Sequence, residues 1–183
     1  MIQVHKNPFS VNKKMLDLLN ENYSLLLFLQ HFNIDFTVNN KTVKEICDYY
    51  QIDLNVFILI GNLYNGFYPE QKEIEKIKDI TPILAFLKNS HSFYIHDKYP
   101  ELTGYLKQLK KSQNRKDIIL IDQFFHEYFD EVLDHLEYED EIAFPYFYRL
   151  TGQPIEMPEK LYSSSEYRNH HTDIETKLTD LKN

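Results

Sequence analysis

The chain has 183 residues, is 43% hydrophobic and 26% charged, and carries a formal net charge of −8. That balance suits a globular protein with a real core rather than a disordered one, and the acidic excess excludes nucleic acid as a main partner, because phosphate binding needs clustered Lys and Arg. The single cysteine, Cys47, excludes an internal disulfide and fits a reducing cytoplasm, while the longest apolar runs, residues 23–29 and 56–60, fall far short of a membrane span.

Only 4 glycines interrupt the chain, which favours helices, and no strand-like alternation of any length is present. Residues 1–10 read as a loose polar leader without the apolar segment of a signal peptide. From Val11 the spacing of Met15, Leu18, Leu19, Tyr23, Leu26, Leu27 and Gln30 predicts one helix, or two broken near Asn22, ending near Phe32. A turn-rich stretch follows. Thr42 and Glu45 then form a capping box that starts a helix running to Tyr50. Asp53 caps a third helix over residues 54–64, which Gly66 terminates.

These helices predict a small N-terminal domain over residues 1–68, with a charged connector over 69–80. Thr81-Pro82 opens the next helix as N-cap and first-turn proline. Its stripe is Leu84, Leu87, His91 and Tyr94 or Ile95; Pro100 is expected to bend it, and Leu102, Leu106 and Leu109 continue. A long helix is predicted over roughly 117–150, kinked or ended by Pro145. Its seam is Ile121, Phe125, Tyr128, Val132, His135, Glu139 and Ile142, steps of four and three. A Gly- and Pro-bearing loop spans 151–160. A second capping box at Ser163 and Glu166 starts a last helix with Tyr167, His171, Ile174, Leu178 and Leu181 in its seam.

Three predicted helices thus place a histidine in an apolar seam: His91, His135 and His171. Two add a carboxylate four residues on, as His135 with Glu139 and His171 with Glu175, so that each pair shares a helix face. Imidazole and carboxylate together suit iron, manganese or zinc, and bundle cores are where carboxylate-bridged metal pairs are built. The plainer reading of any one of them is a hydrogen-bonded core histidine. Three such residues together weigh against it, because an unpaired buried polar group costs roughly 1–3 kcal/mol. His96 lies five residues beyond His91, about 140° round an α-helix, and cannot share its site unless the helix deforms. His126 faces away from His135, and His31 and His5 read as surface or locally bonded residues. Tyr94, Tyr128 and Tyr138 are core residues by default, and Cys47 is a buried structural thiol rather than a nucleophile. No nucleophile-plus-base arrangement supports a hydrolase.

The segment His135-Leu-Glu-Tyr-Glu139-Asp-Glu-Ile-Ala-Phe-Pro145 resembles the H-x-x-x-E-E-x-x-x-F-P signature of hemerythrin-like domains. Ser90-His91-Ser-Phe-Tyr with Tyr99-Pro100-Glu-Leu resembles the ligand helix that opens that domain, and Asn169-His170-His171-Thr-Asp-Ile-Glu175 resembles its third helix. The N-terminal LQHFNIDF and KTVKEICDYYQID resemble the small helical domain that precedes it in the repair-of-iron-centres (ScdA/YtfE) family. The resemblance spans nearly the whole chain. It implies an all-α protein, a small N-terminal helical domain followed over residues 81–183 by a hemerythrin-like up-down bundle. It also implies a cytoplasmic non-haem di-iron centre that serves iron–sulfur cluster repair under nitrosative or oxidative stress. Iron–sulfur client proteins and a diatomic, nitric oxide or oxygen, would be the partners. His91, His135, Glu139 and His171 match iron ligands of the family, Glu139 as the bridging carboxylate, and Glu175 falls where a further ligand often stands.

Two departures limit what carries over. Thr37-Val38 stand where the family has an adjacent cysteine pair after the Asp35-Phe36 turn, so thiol chemistry assigned to that pair is absent. No second His-x-x-x-Glu helix follows residue 175. The expected bundle therefore holds three of four helices, its open side filled by the N-terminal helices, by a second subunit in a homodimer, or by further chain. The alternative to a metal protein is a metal-free binding or sensory module that kept the fold.

Overall fold

The computed structural model describes residues 6–113 and 115–151. The predicted last helix, with His171 and Glu175, lies outside the described residues. The described fold is all-α, with one isolated antiparallel bridge, Lys14 to Thr42, and no strand among the described residues. None of the described helices is long and apolar enough to cross a membrane. The chain divides into two compact units, Met1–Ser90 and His91–Asn183.

In the first unit α1 (Met15–Glu21) and α2 (Leu25–His31) are separate helices, broken at Asn22 as its position predicts. The break has a local cause. Asn22 Oδ1 accepts from the Ser24 N–H (3.2 Å), turning the chain, while its Nδ2 donates to Asn65 Oδ1 (2.8 Å). The predicted capping box opens α3 (Val43–Tyr50): Glu45 N–H donates to Thr42 Oγ1 at 3.3 Å and Thr42 N–H to Glu45 Oε2 at 2.7 Å. Gln51, in the left-handed region at φ 58, ends it. Asp53 caps α4 (Leu54–Tyr64) through the Val56 N–H at 3.0 Å. The charged connector contains a single turn, α5 (Gln71–Ile74), before α6 (Thr81–Phe93).

The core of this unit is built of rings. Phe28 lies 4.7 Å from Phe57, 5.1 Å from Phe32 and 5.6 Å from Tyr64, and Phe86 of α6 closes on Phe32 at 4.7 Å. Phe9 joins them, 4% exposed and edge-on to Phe28, with its N–H donating to Asn62 Oδ1 at 2.7 Å. The part of the leader from Asn7 to Phe9 therefore docks instead of lying loose. Asn65 donates to the Asn7 carbonyl (2.8 Å) and Asn62 accepts from the Phe9 N–H, and a Cβ on Gly61 would fall 2.5 Å from the Phe9 ring, which is why α4 carries a glycine there.

Of the two readings of His31, surface or locally bonded, burial rules out the first: it is 1% exposed, edge-on to Phe86, with Nδ1 3.4 Å from the Tyr64 hydroxyl. Burial holds its imidazole below the ordinary 6.5. The unfolded chain therefore takes up a proton first on acidification, and the stability His31 contributes above pH 6.5 is lost as pH falls toward its lowered folded value. Urea denaturation across roughly pH 8 to 5 is expected to give a midpoint that drops with acid, and His31→Gln is expected to flatten that drop. Parallel pH profiles for the two proteins would refute the assignment.

In the second unit α7 (Tyr99–Ser112) and α8 (Lys116–Tyr138) form an antiparallel hairpin. Tyr99 stacks on Phe129 (3.6 Å) with Phe125 beside it (5.7 Å), and Lys110 Nζ sits 2.6 Å from Asp122. The face of α8 buried deepest is consequently Asp122, Phe129 and Leu136, while Ile121, first in the predicted seam, is 52% exposed. The seam is turned toward the Asp122 side because Tyr99 and Lys110 are the groups that reach it.

Neither proline ends its helix. Pro100 and Pro145 each follow a π-helical turn, Tyr94–Lys98 and Glu139–Ala143, in which Tyr99 N–H donates to Tyr94 O and Phe144 N–H to Glu139 O, five residues back. In an α-helix the pyrrolidine ring would collide with the carbonyl four residues earlier, at His96 or Glu141. The wide turn contains that carbonyl in each case, and the helix continues, the second time as α9 (Phe144–Leu150).

Candidate metal centre

The π turn that admits Pro145 begins at Glu139, and it decides what surrounds this carboxylate. Glu139 is 5% exposed. Its Oε2 lies 3.1 Å from His91 Nε2, contributed by α6, and its Oε1 lies 3.7 Å from His135 Nε2, one α-helical turn earlier on α8. Two imidazoles from different helices thus face different oxygens of one buried carboxylate. His91 is itself 5% exposed, and its ring stacks on Phe144 at 5.4 Å and 23°. Its other nitrogen, Nδ1, is 3.2 Å from Asp140 Oδ1. An ionised carboxylate only accepts, so Nδ1 carries the proton and donates it to Asp140.

That assignment leaves the Nε2 lone pair of a neutral His91 pointing at an anionic oxygen, a contact that a proton or a metal cation between them makes favourable. The separations test the second option. Imidazole and carboxylate bind first-row ions at roughly 2.0–2.2 Å, which sets neighbouring donors about 3.0–3.4 Å apart around one ion. The His91–Glu139 pair at 3.1 Å meets this, and the His135–Glu139 pair at 3.7 Å is wider. The donor chemistry of His91, His135 and Glu139 therefore fits iron, manganese or zinc. Among the described residues no group of three or more His, Cys, Asp or Glu side chains is spaced to hold a metal ion. A cleft of about 410 Å³ is lined by Ile95, Leu133, Glu137, Asp140 and Glu141, and its carboxylates favour the approach of a cation.

Comparison with protein-family models, curated proteins and solved structures finds no match.

Of the residues singled out beforehand, His91, His135 and Glu139 come together; His171 and Glu175 lie outside the described residues. His96 stays exposed even though the π turn supplies the deformation it would need. His126 donates from Nδ1 to the Asp122 carbonyl (2.7 Å), away from the site. Tyr94 is 44% exposed. Tyr128 is half-buried, and burial together with the Glu131 charge raises its hydroxyl above the usual tyrosine value. Cys47 is buried, and desolvation with Asp48 and Asp53 nearby pushes its thiol up to about 12, so it is inert. Asp140 and Phe144 are the contributors that pattern reading missed. Both sit inside the His135–Pro145 motif, yet an ideal α-helix turns Asp140 about 100° away from Glu139.

Proposed function

We propose that this chain is a hemerythrin-like non-haem iron protein whose second unit holds a carboxylate-bridged metal pair. One observation carries the reading: His91 and His135, from separate helices, meet the two oxygens of Glu139 in the interior. His171 and Glu175 are the further ligands implied by the resemblance. Bound iron would supply reversible redox chemistry and open positions for a diatomic such as nitric oxide or oxygen. The chain's own part is to orient: Phe144 holds the face of His91, Asp140 holds its Nδ1–H, and Glu139 offers one oxygen to each imidazole. The setting this favours is the cytoplasm, where Cys47 stays reduced. The role is repair of iron–sulfur clusters in client proteins under nitrosative or oxidative stress.

A specific observation favours a second reading, a metal-free helical module for binding or sensing. The 3.1 and 3.2 Å contacts of His91 are also those of a ring held between two carboxylates by protons. Metal analysis separates the two. Protein purified without chelator is expected to carry iron, with the optical bands of oxo-bridged ferric ions, and His135→Ala is expected to lose most of it. Equal trace metal in both proteins, with unchanged melting in chelator, would leave the second reading standing.

A further inference from the structure

Resting on the metal reading, we infer that Asp140 is the positioning residue of this centre: it holds the His91 Nδ1–H so that the Nε2 lone pair is presented to a metal shared with Glu139. Three contacts fix the His91 ring, and all three come from one short piece of chain. Glu139 meets Nε2 at 3.1 Å, Asp140 meets Nδ1 at 3.2 Å, and Phe144 lies against the ring face at 5.4 Å and 23°. Consecutive carboxylates cannot ordinarily grip opposite edges of one ring, because neighbouring helical positions diverge by about 100°. The π turn over Glu139–Ala143 changes that spacing, and Phe144 is its closing residue, donating its N–H to Glu139 O. The same wide turn that admits Pro145 thus sets Asp140 and Phe144 around His91.

The chemistry needs this hold. A ligating imidazole binds through one nitrogen, and its other N–H must be anchored to fix tautomer and orientation; a carboxylate anchor also makes the ligand more basic. Asp140 is suited to that part because it is not buried away from water. Its side chain is 36% exposed against 7% for His91 and Glu139, so it touches the buried ring while staying in reach of water. It also lines the cleft that Glu137 and Glu141 make acidic.

The test uses the full chain, with Zn(II) and Fe(II) as probes in competition with a chromophoric chelator. Asp140→Ala is expected to weaken affinity about 10–100-fold, the usual loss when such an anchor is removed. Asp140→Asn, which can still accept from Nδ1–H but carries no charge, is expected to fall between Asp140→Ala and wild type. A second readout needs no metal. In 15N-edited spectra of chelator-treated protein, a slowly exchanging Nδ1–H of His91 is expected in wild type and Asp140→Asn and absent in Asp140→Ala. Circular dichroism checks that each variant folds. Equal affinities for wild type and Asp140→Ala, with the Nδ1–H signal kept, would overturn the inference and leave the metal reading intact. A wild type that binds neither ion overturns the metal reading and this role with it, and the Nδ1–H signal then reports whether Asp140 holds the ring for structure alone.

Discussion

Glu139→Gln is expected to reduce metal affinity on the order of 100-fold or more while leaving the metal-free fold standing. A structural ion gains about 10–16 kcal/mol from roughly four ligands, so each is worth about 3 kcal/mol, and about 1.4 kcal/mol is a factor of ten. Glu139 should lie at or above that average, since both its oxygens face an imidazole. The amide keeps the size of the carboxylate and one acceptor oxygen, but it loses the charge that balances a cation and the second equivalent oxygen. In the metal-free protein the loss is smaller, because the amide still hydrogen-bonds His91 or His135, and such an exchange costs about 1–3 kcal/mol. Chelator titration reads the first quantity and calorimetry in chelator the second. If affinity holds and only stability moves, the cluster is a structural wedge of polar groups and the metal reading is lost.

The N-terminal helices were legible because their ends are written locally. Thr42 with Glu45, Asp53 with the Val56 N–H, and Asn22 at the break each act within three residues. His91, His135 and Glu139 were legible because a polar group on an otherwise apolar helical stripe stands out against its neighbours. What was not legible depends on partners distant in sequence or on departures from α-helical spacing. Phe9 is buried by Phe28 and Phe57, and His31 by Phe86, all far along the chain. Asp140 and Phe144 reach His91 through a turn of five-residue hydrogen bonds, whereas the reading of the motif assumed four. Pro145, expected to kink or end the helix, is the local sign of that turn, and a proline signals a widened turn as readily as an end. The seam of α8 was misplaced for a related reason. Apolar residues there cover more than one face, and among the described residues Tyr99 and Lys110 of α7 lie against the buried one.

Phe28→Ala is expected to be the most damaging single change in the first unit. The side chain is fully buried and stands at the hub of five rings: Phe9 at 5.5 Å, Phe32 at 5.1 Å, Phe57 at 4.7 Å, Tyr64 at 5.6 Å and Phe86 at 6.1 Å. Removing it forfeits the transfer energy of the ring and leaves a cavity that stiff aromatic neighbours fill poorly, a loss of about 3–5 kcal/mol. Edge-on and tilted ring pairs add about 0.5–1.5 kcal/mol beyond area. Against a total of about 5–15 kcal/mol for a folded domain, this brings the unit near unfolding. At about 4–8 °C for each kcal/mol in a domain of this size, its melting transition falls by at least about 12 °C. Phe28→Leu, which keeps most of the volume, should cost less. Phe36→Ala provides the contrast, since that ring is 59% exposed and a surface change is worth about 0.5 kcal/mol or less. Calorimetry on the three variants ranks them, and a Phe28→Ala transition within a few degrees of wild type would mean that the aromatic hub is not what holds the first unit together.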